Sequence, residues 1–163
     1  MTLTPLMSAP VVIQIHVIAA LLSIVLGPVV LYRPRRDRMH RRLGHVWVTA
    51  MATVALSAML IPSFASPFHF GILHGFAVLT CVTLVIGVRS AIRRDIAGHE
   101  AAFRSLYWNG LLIAGLFTLL PGRRINEMLF GERAQLGYLV IALGAALLIR
   151  RVARGLRSGP MQA

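Results

Sequence analysis

Residues 10–42 read PVVIQIHVIAALLSIVLGPVVLYRPRRDRMHRR, and the contrast between the two parts of this stretch decides the fold. From Pro10 to Tyr32 the only strongly polar side chains are Gln14 and His16. At about 1.5 Å per residue a helix of this length crosses a hydrocarbon layer ~30 Å thick. The segment Arg33 to Arg42 carries six arginines and cannot lie in lipid. The apolar block is too long for the core of a signal peptide. It also lacks a basic leader and a clear small-residue cleavage site, so it reads as a retained span. Gly27-Pro28 predicts a kink in its inner third.

The same alternation continues along the chain. Asp37 is placed to cap a second span that runs to about Ile61, where Pro62 stops it. Residues 62–67, PSFASP, form a short turn on the opposite side. A third span runs from about Phe68 to Val88 and meets Arg89, Arg93 and Arg94. A fourth begins near Asp95, again a cap, becomes fully apolar from Leu106 and ends at Pro121-Gly122. Residues 123–134 read as an interfacial loop with an apolar patch at Met128, Leu129 and Phe130. The fifth span, about Gln135–Ile149, is short and is followed by Arg150, Arg151, Arg154 and Arg157. Fourteen of the seventeen arginines fall on one side of this layout, which predicts an outer N-terminus and a cytoplasmic C-terminal tail. Trp47, Tyr107 and Trp108 fall near the predicted inner boundary, where aromatic anchors sit.

Composition agrees with a membrane protein. Of 163 residues, 57% are hydrophobic and 13% charged, too few charges to cover a soluble domain of this size. The formal charge of +12 comes entirely from arginine, and most of it lies beside apolar blocks. That placement is topology rather than a nucleic-acid surface, so the expected partners are the bilayer and anionic lipid headgroups, with no nucleic acid. Cys81, the single cysteine, excludes an internal disulfide and reads as a small buried hydrophobe.

The histidines follow an internal repeat. RRDRMH ends at His40 near the start of the second span, and RRDIAGH ends at His99 near the start of the fourth. Each is preceded by a span with a histidine in its outer third, His16 and His74, at separations of 24 and 25 residues. The expected fold is therefore all-α and membrane-integral: a four-helix bundle in residues 1–131, with hairpin repeats at about 10–61 and 68–121. A fifth span and basic cytoplasmic tail occupy residues 132–163. His16 and His74 then share one depth and His40 and His99 another, roughly 20 Å apart at 1.5 Å per residue. Two stacked histidine pairs in a four-helix bundle are the arrangement of bis-histidine haem b proteins, in which stacked haems can pass electrons across the membrane, often to or from a quinone. The plainer reading is a neutral imidazole bonded to a neighbouring carbonyl or hydroxyl, for which Thr80, Ser23 and Ser57 are available.

Other chemistries find little support. His45 and His69 each stand five residues from His40 and His74, a step that shares no helix face. His99-Glu100 begins a zinc-protease pattern, but Phe103 stands where its second histidine belongs. No nucleophile triad, phosphate loop or dinucleotide fingerprint occurs. All five acidic residues lie outside the apolar cores, which disfavours a carboxylate-driven pump. No catalytic or metal-ligating set is assigned. Met7, Met51 and Met59 read as packing.

The motifs resemble a family of predicted bacterial membrane proteins known only as a domain of unknown function. The resemblance rests on His16, on residues 40–44 (HRRLG) with residues 46–48 (VWV), and on His74 in residues 72–74 (ILH). It continues with His99, residues 106–108 (LYW) and residues 114–123 (AGLFTLLPGR), covering about residues 10–131. Where this chain has His45 the family usually has arginine, so His45 is not carried over as a site. The resemblance implies a membrane location and a helical bundle, and no activity.

Three functions are open at this point. The first is a small redox protein of the bacterial inner membrane, binding haem b or quinone through His16, His74, His40 and His99. The second is a non-catalytic accessory or assembly subunit of a larger membrane complex, or a homo-oligomer. The third, a small-solute transporter, is disfavoured because no charge is buried.

Overall fold

The computed structural model describes residues 3–34, 37–62 and 71–157. The described residues contain helices and no strand. In chain order they are α1 (Thr4–Met7), α2 (Val11–Leu31), α3 (Arg38–Met59), α4 (Ile72–Ile92) and α5 (Ile96–Ser105). A π-helical stretch, Leu106–Leu112, continues α5 without a break into α6 (Ile113–Phe117). A short α7 (Arg124–Phe130), a 3-10 turn (Gly131–Arg133) and α8 (Leu136–Arg157) complete the chain. Three helical segments are long and apolar enough to cross a membrane: Val11–Leu31, Leu73–Ile92 and Leu136–Arg154. Helix α3 has the length but opens on Arg38, Arg41 and Arg42.

Both expected caps form. The Asp37 carboxylate accepts the His40 main-chain N–H at 2.9 Å, and Asp95 accepts that of Gly98 at 2.9 Å. Each satisfies one of the main-chain donors that a helix start leaves open. Arg33 adds two bonds to Asp37, at 2.7 and 3.2 Å, which hold its carboxyl at a pKa of about 2. At the end of α4 the chain turns through Arg94 at φ 62, with Asp95 N–H returning to Ser90 O and Arg94 N–H to Ala91 O. This is a left-handed helix end at a position that favours glycine.

The structure corrects four expectations of local detail. Helix α4 starts at Ile72, not Phe68, because Gly71 is its extended N-cap; residues 68–70 lie outside the described residues, as do His69 and most of the 62–67 turn. Residues 124–130 are helical rather than loop, because Asn126 bonds both flanking segments. Helix α8 continues to Arg157 instead of ending at Ile149, since arginine is a good helix former and suits the negative end of the helix dipole. Trp47 and Tyr107 are 1% and 5% exposed, so they pack into the core rather than facing outward as anchors.

Two compact units are present, Ser8–Ala114 and the pair of segments Met1–Met7 with Gly115–Ala163. In the first, α2 packs on α3, α3 on α4, and α4 on α5 and the π-helical stretch, which returns to α2. Thus α2 and α4 oppose each other across this ring of four elements, as do α3 and α5. The core contains Val30, Trp47, Met51, Leu84, Phe103 and Tyr107. Between apolar helices in lipid such contacts act through close packing rather than water release.

The centre of that core explains how α2 runs unbroken through Pro28. Proline has no N–H, so the carbonyl of Ile24, four residues earlier, has no helical donor. The Tyr107 hydroxyl donates to that carbonyl at 3.2 Å, and Trp47 Nε1 donates to Ser23 O next to it at 2.9 Å. Gly27 makes the approach possible, because a Cβ there would collide with the Tyr107 ring.

In the second unit α1 packs on α7, and Arg124 donates to Pro5 O at 3.2 Å. Asn126 is fully buried and its amide donates to Leu119 O at 2.6 Å and Ala134 O at 2.8 Å. A Cβ on Gly137 would strike Leu119 O and the same amide, so α8 lies against this clamp only through glycine.

Candidate functional site

His16 lies in the second turn of α2 and reaches α3. Its Nδ1 is 3.1 Å from Val54 O and 2.9 Å from Ser57 Oγ. Val54 O can only accept, so a neutral His16 carries its proton on Nδ1 and donates it there. Ser57 Oγ in turn donates to Thr53 O at 2.5 Å, which leaves its lone pairs facing the imidazole. The Nε2 of His16 is then a lone-pair nitrogen. Ser57, one of the three hydroxyls available to the histidines in the sequence, is the one that meets His16. Ser23 instead donates to Ala19 O at 2.8 Å within its own helix.

His74 is 7% exposed and stands in the first turn of α4, nearer the start of its helix than His16 is of α2. Its Nδ1 accepts the Gly71 main-chain N–H at 3.1 Å. The side chain therefore helps to cap its own helix, and a neutral His74 carries its proton on Nε2. The imidazoles of His16 and His74 thus sit on opposed helices in opposite tautomers. On α2 the face of His16 continues with Ala19 and Ser23, and on α4 the face of His74 continues with Ala77 and Thr80, all buried.

At the other end of the hairpins His99 turns toward α4, with Nδ1 3.0 Å from Gly87 O, so that it too is an Nδ1 donor. Its ring meets Phe103 edge-on at 4.8 Å, and Phe103 meets Trp47 at 5.5 Å. Phe103 also lies over Gly87, where a Cβ would clash with it. His40 is half-buried in the first turn of α3, its main-chain N–H held by Asp37. His45 is exposed, and Cys81 is half-buried.

His16 is therefore bonded to α3, His74 to the N-cap residue of its own helix α4, and His99, from α5, also to α4. Among the described residues no group of three or more His, Cys, Asp or Glu side chains is placed to hold a metal ion. Sequence reasoning missed the cluster formed by Tyr107, Trp47 and Pro28. The missing proline N–H in an apolar span was the available signal that a donor from another helix had to be present.

No protein of curated function and no solved structure matches the chain. A family model described as predicted membrane protein, DUF2306, matches residues 13–155. With most of its length covered, the chain belongs to the DUF2306 family of predicted membrane proteins, whose function is unknown.

Proposed function

We propose that this chain is a small redox protein of the bacterial inner membrane, crossing it five times with its N-terminus outside and its C-terminus in the cytoplasm. In this reading it holds haem b or a quinone through His16 and His74 toward the outer side and through His40 and His99 toward the inner side. The observation that carries it is the orientation of His16. An imidazole that gives its Nδ1 proton to a main-chain carbonyl is fixed in ring angle and tautomer, and its Nε2 is a ready ligand or acceptor. His99 repeats this at Gly87 O.

The four residues do not fit equally well. His74 would have to leave its Gly71 cap and lose its Nε2 proton to ligate iron; as it stands its tautomer suits a ring oxygen of a quinone. The level of His40 and His99 is filled by Trp47, Phe103 and Tyr107, with Trp47 reaching Ser23 O, whereas the level of His16 and His74 is bordered by the small side chains of Ala19 and Ala77. Of the two levels, the smaller side chains of the outer one suit a flat ring better. Haem would supply one-electron chemistry there, and a quinone would carry electrons together with protons.

A reduced-minus-oxidised spectrum and a quinone extraction of the detergent-purified protein test the reading. A Soret band or stoichiometric quinone that is lost in His16→Ala and kept in His45→Ala is the expected result. Colourless, quinone-free protein from cells well supplied with haem overturns it.

A second reading, an accessory or assembly subunit of a larger complex, draws support from α8. Only 6% of its apolar window is buried, against 17% and 22% for the other two long apolar helices. A stoichiometric membrane partner, co-purified with no cofactor, is what that reading predicts.

A further inference from the structure

The start of α8 carries a feature that the histidine reading does not use. Beside it lies an open-sided cleft of about 530 Å³ lined by Glu132, Arg133, Gln135, Leu136 and Leu139. Glu132 and Arg133 are consecutive on the 3-10 turn, both exposed, and neither has an ion pair or side-chain hydrogen bond among the described residues. Below them Leu136, Leu139 and Leu143 are 39%, 66% and 65% exposed. Their spacing puts them in one column down a helix face.

A pair of opposite charges above an apolar column has the polarity of one particular partner. We propose that this cleft binds a zwitterionic phospholipid with a primary ammonium headgroup, of the phosphatidylethanolamine class. The phosphate meets Arg133 and the positive end of the α8 dipole, the ammonium donates to the Glu132 carboxylate, and an acyl chain lies along Leu136, Leu139 and Leu143. A purely anionic headgroup would leave Glu132 facing negative charge. A choline headgroup has no N–H to give it. The proposal does not depend on haem or quinone.

Native mass spectrometry of the full chain in detergent, titrated with dioleoyl forms of phosphatidylethanolamine, phosphatidylcholine and phosphatidylglycerol, tests it. The inner arginines also attract phosphatidylglycerol, so the reading is the change on substitution. Glu132→Gln and Arg133→Gln each weaken phosphatidylethanolamine retention about fivefold, the scale of one charge-assisted bond at an exposed site. Arg150→Gln leaves it unchanged. Equal affinity of the native chain for the ethanolamine and choline lipids overturns the proposal, as does ethanolamine retention that neither Glu132→Gln nor Arg133→Gln alters. A parallel loss of phosphatidylglycerol in Glu132→Gln marks a general defect and also overturns it. Both side chains are exposed, so helical content and monodispersity by circular dichroism and gel filtration stay at native values.

Discussion

The Tyr107 hydroxyl donates to the Ile24 carbonyl, the one main-chain acceptor in α2 that Pro28 deprives of its helical donor. The bond links residues 83 apart in sequence and closes the ring of helices where α2 would otherwise break. Losing it in Tyr107→Phe leaves a buried acceptor open and lowers stability by about 1 kcal/mol. Pro28→Ala restores the N–H, so in that background Tyr107→Phe costs close to nothing. Thermal unfolding of the four proteins in one detergent measures the coupling; additive losses would contradict the assignment.

The glycines divide sharply. At Gly137 a methyl group meets the Leu119 carbonyl oxygen and the Asn126 amide, so Gly137→Ala lowers stability by about 1–3 kcal/mol. At Gly115, in α6, nothing lies within 4 Å of an added Cβ, and Gly115→Ala raises stability by about 0.5–1 kcal/mol through helix propensity alone. Melting temperatures of the two variants should move in opposite directions.

Arg94 at φ 62 carries a side chain where the backbone favours none. Arg94→Gly relieves about 1 kcal/mol of strain, more than the lost charge contributes at this exposed position. A lower melting temperature for the variant would show that the charge outweighs the backbone.

The cap of α3 is sensitive to acid. Asp37 is held at a pKa of about 2, against its ordinary 3.8, by the Arg33 guanidinium first and the His40 N–H second. Because the folded value is depressed, the stabilisation is complete above the ordinary value and disappears as pH falls through about 2. An NMR titration of the Asp37 carboxyl should show that midpoint, moving up toward 3.8 in Arg33→Gln. A midpoint near 3.8 in the native chain would rule out the pairing.

The imidazole tautomers can be read directly. Nitrogen-15 correlation spectra of histidine-labelled protein at neutral pH should place the proton of His16 and His99 on Nδ1 and that of His74 on Nε2. A single tautomer for all three is the contrary outcome. Ser57→Ala keeps the His16 assignment, because Val54 O still requires the proton.

Much of the helical layout was legible because it depends on local chemistry. Apolar runs, arginine stops and the two aspartate caps are each written in a few adjacent residues, and the observed α2, α3 and α5 starts agree with them. The His16–Ser57 bond was legible as a partner type, because a histidine in an apolar span needs a polar neighbour. Trp47 and Tyr107 were misplaced for the opposite reason. Their position along the chain puts them near a boundary, but the carbonyls they serve lie on α2 and only the packed structure brings the two together. The helical residues 124–130 were hidden similarly, since Asn126 looks like a loop residue until its two carbonyl partners are in place.

The π-helical stretch sets a limit on how this chain can change length. Over one widened turn, adjacent Tyr107 and Trp108 bond to Ile24 O in α2 and to the hydroxyl of Tyr32, the residue that caps its end. A π-helical turn holds one residue more than an α-turn, so deleting a single residue between 106 and 112 would let it tighten to the ordinary form and move the residues on one side of the deletion by one position past α2. One of the two aromatic side chains would then lose its grip on α2. Insertions and deletions should therefore be poorly tolerated at the middle of this segment, even though its sequence looks like plain apolar helix.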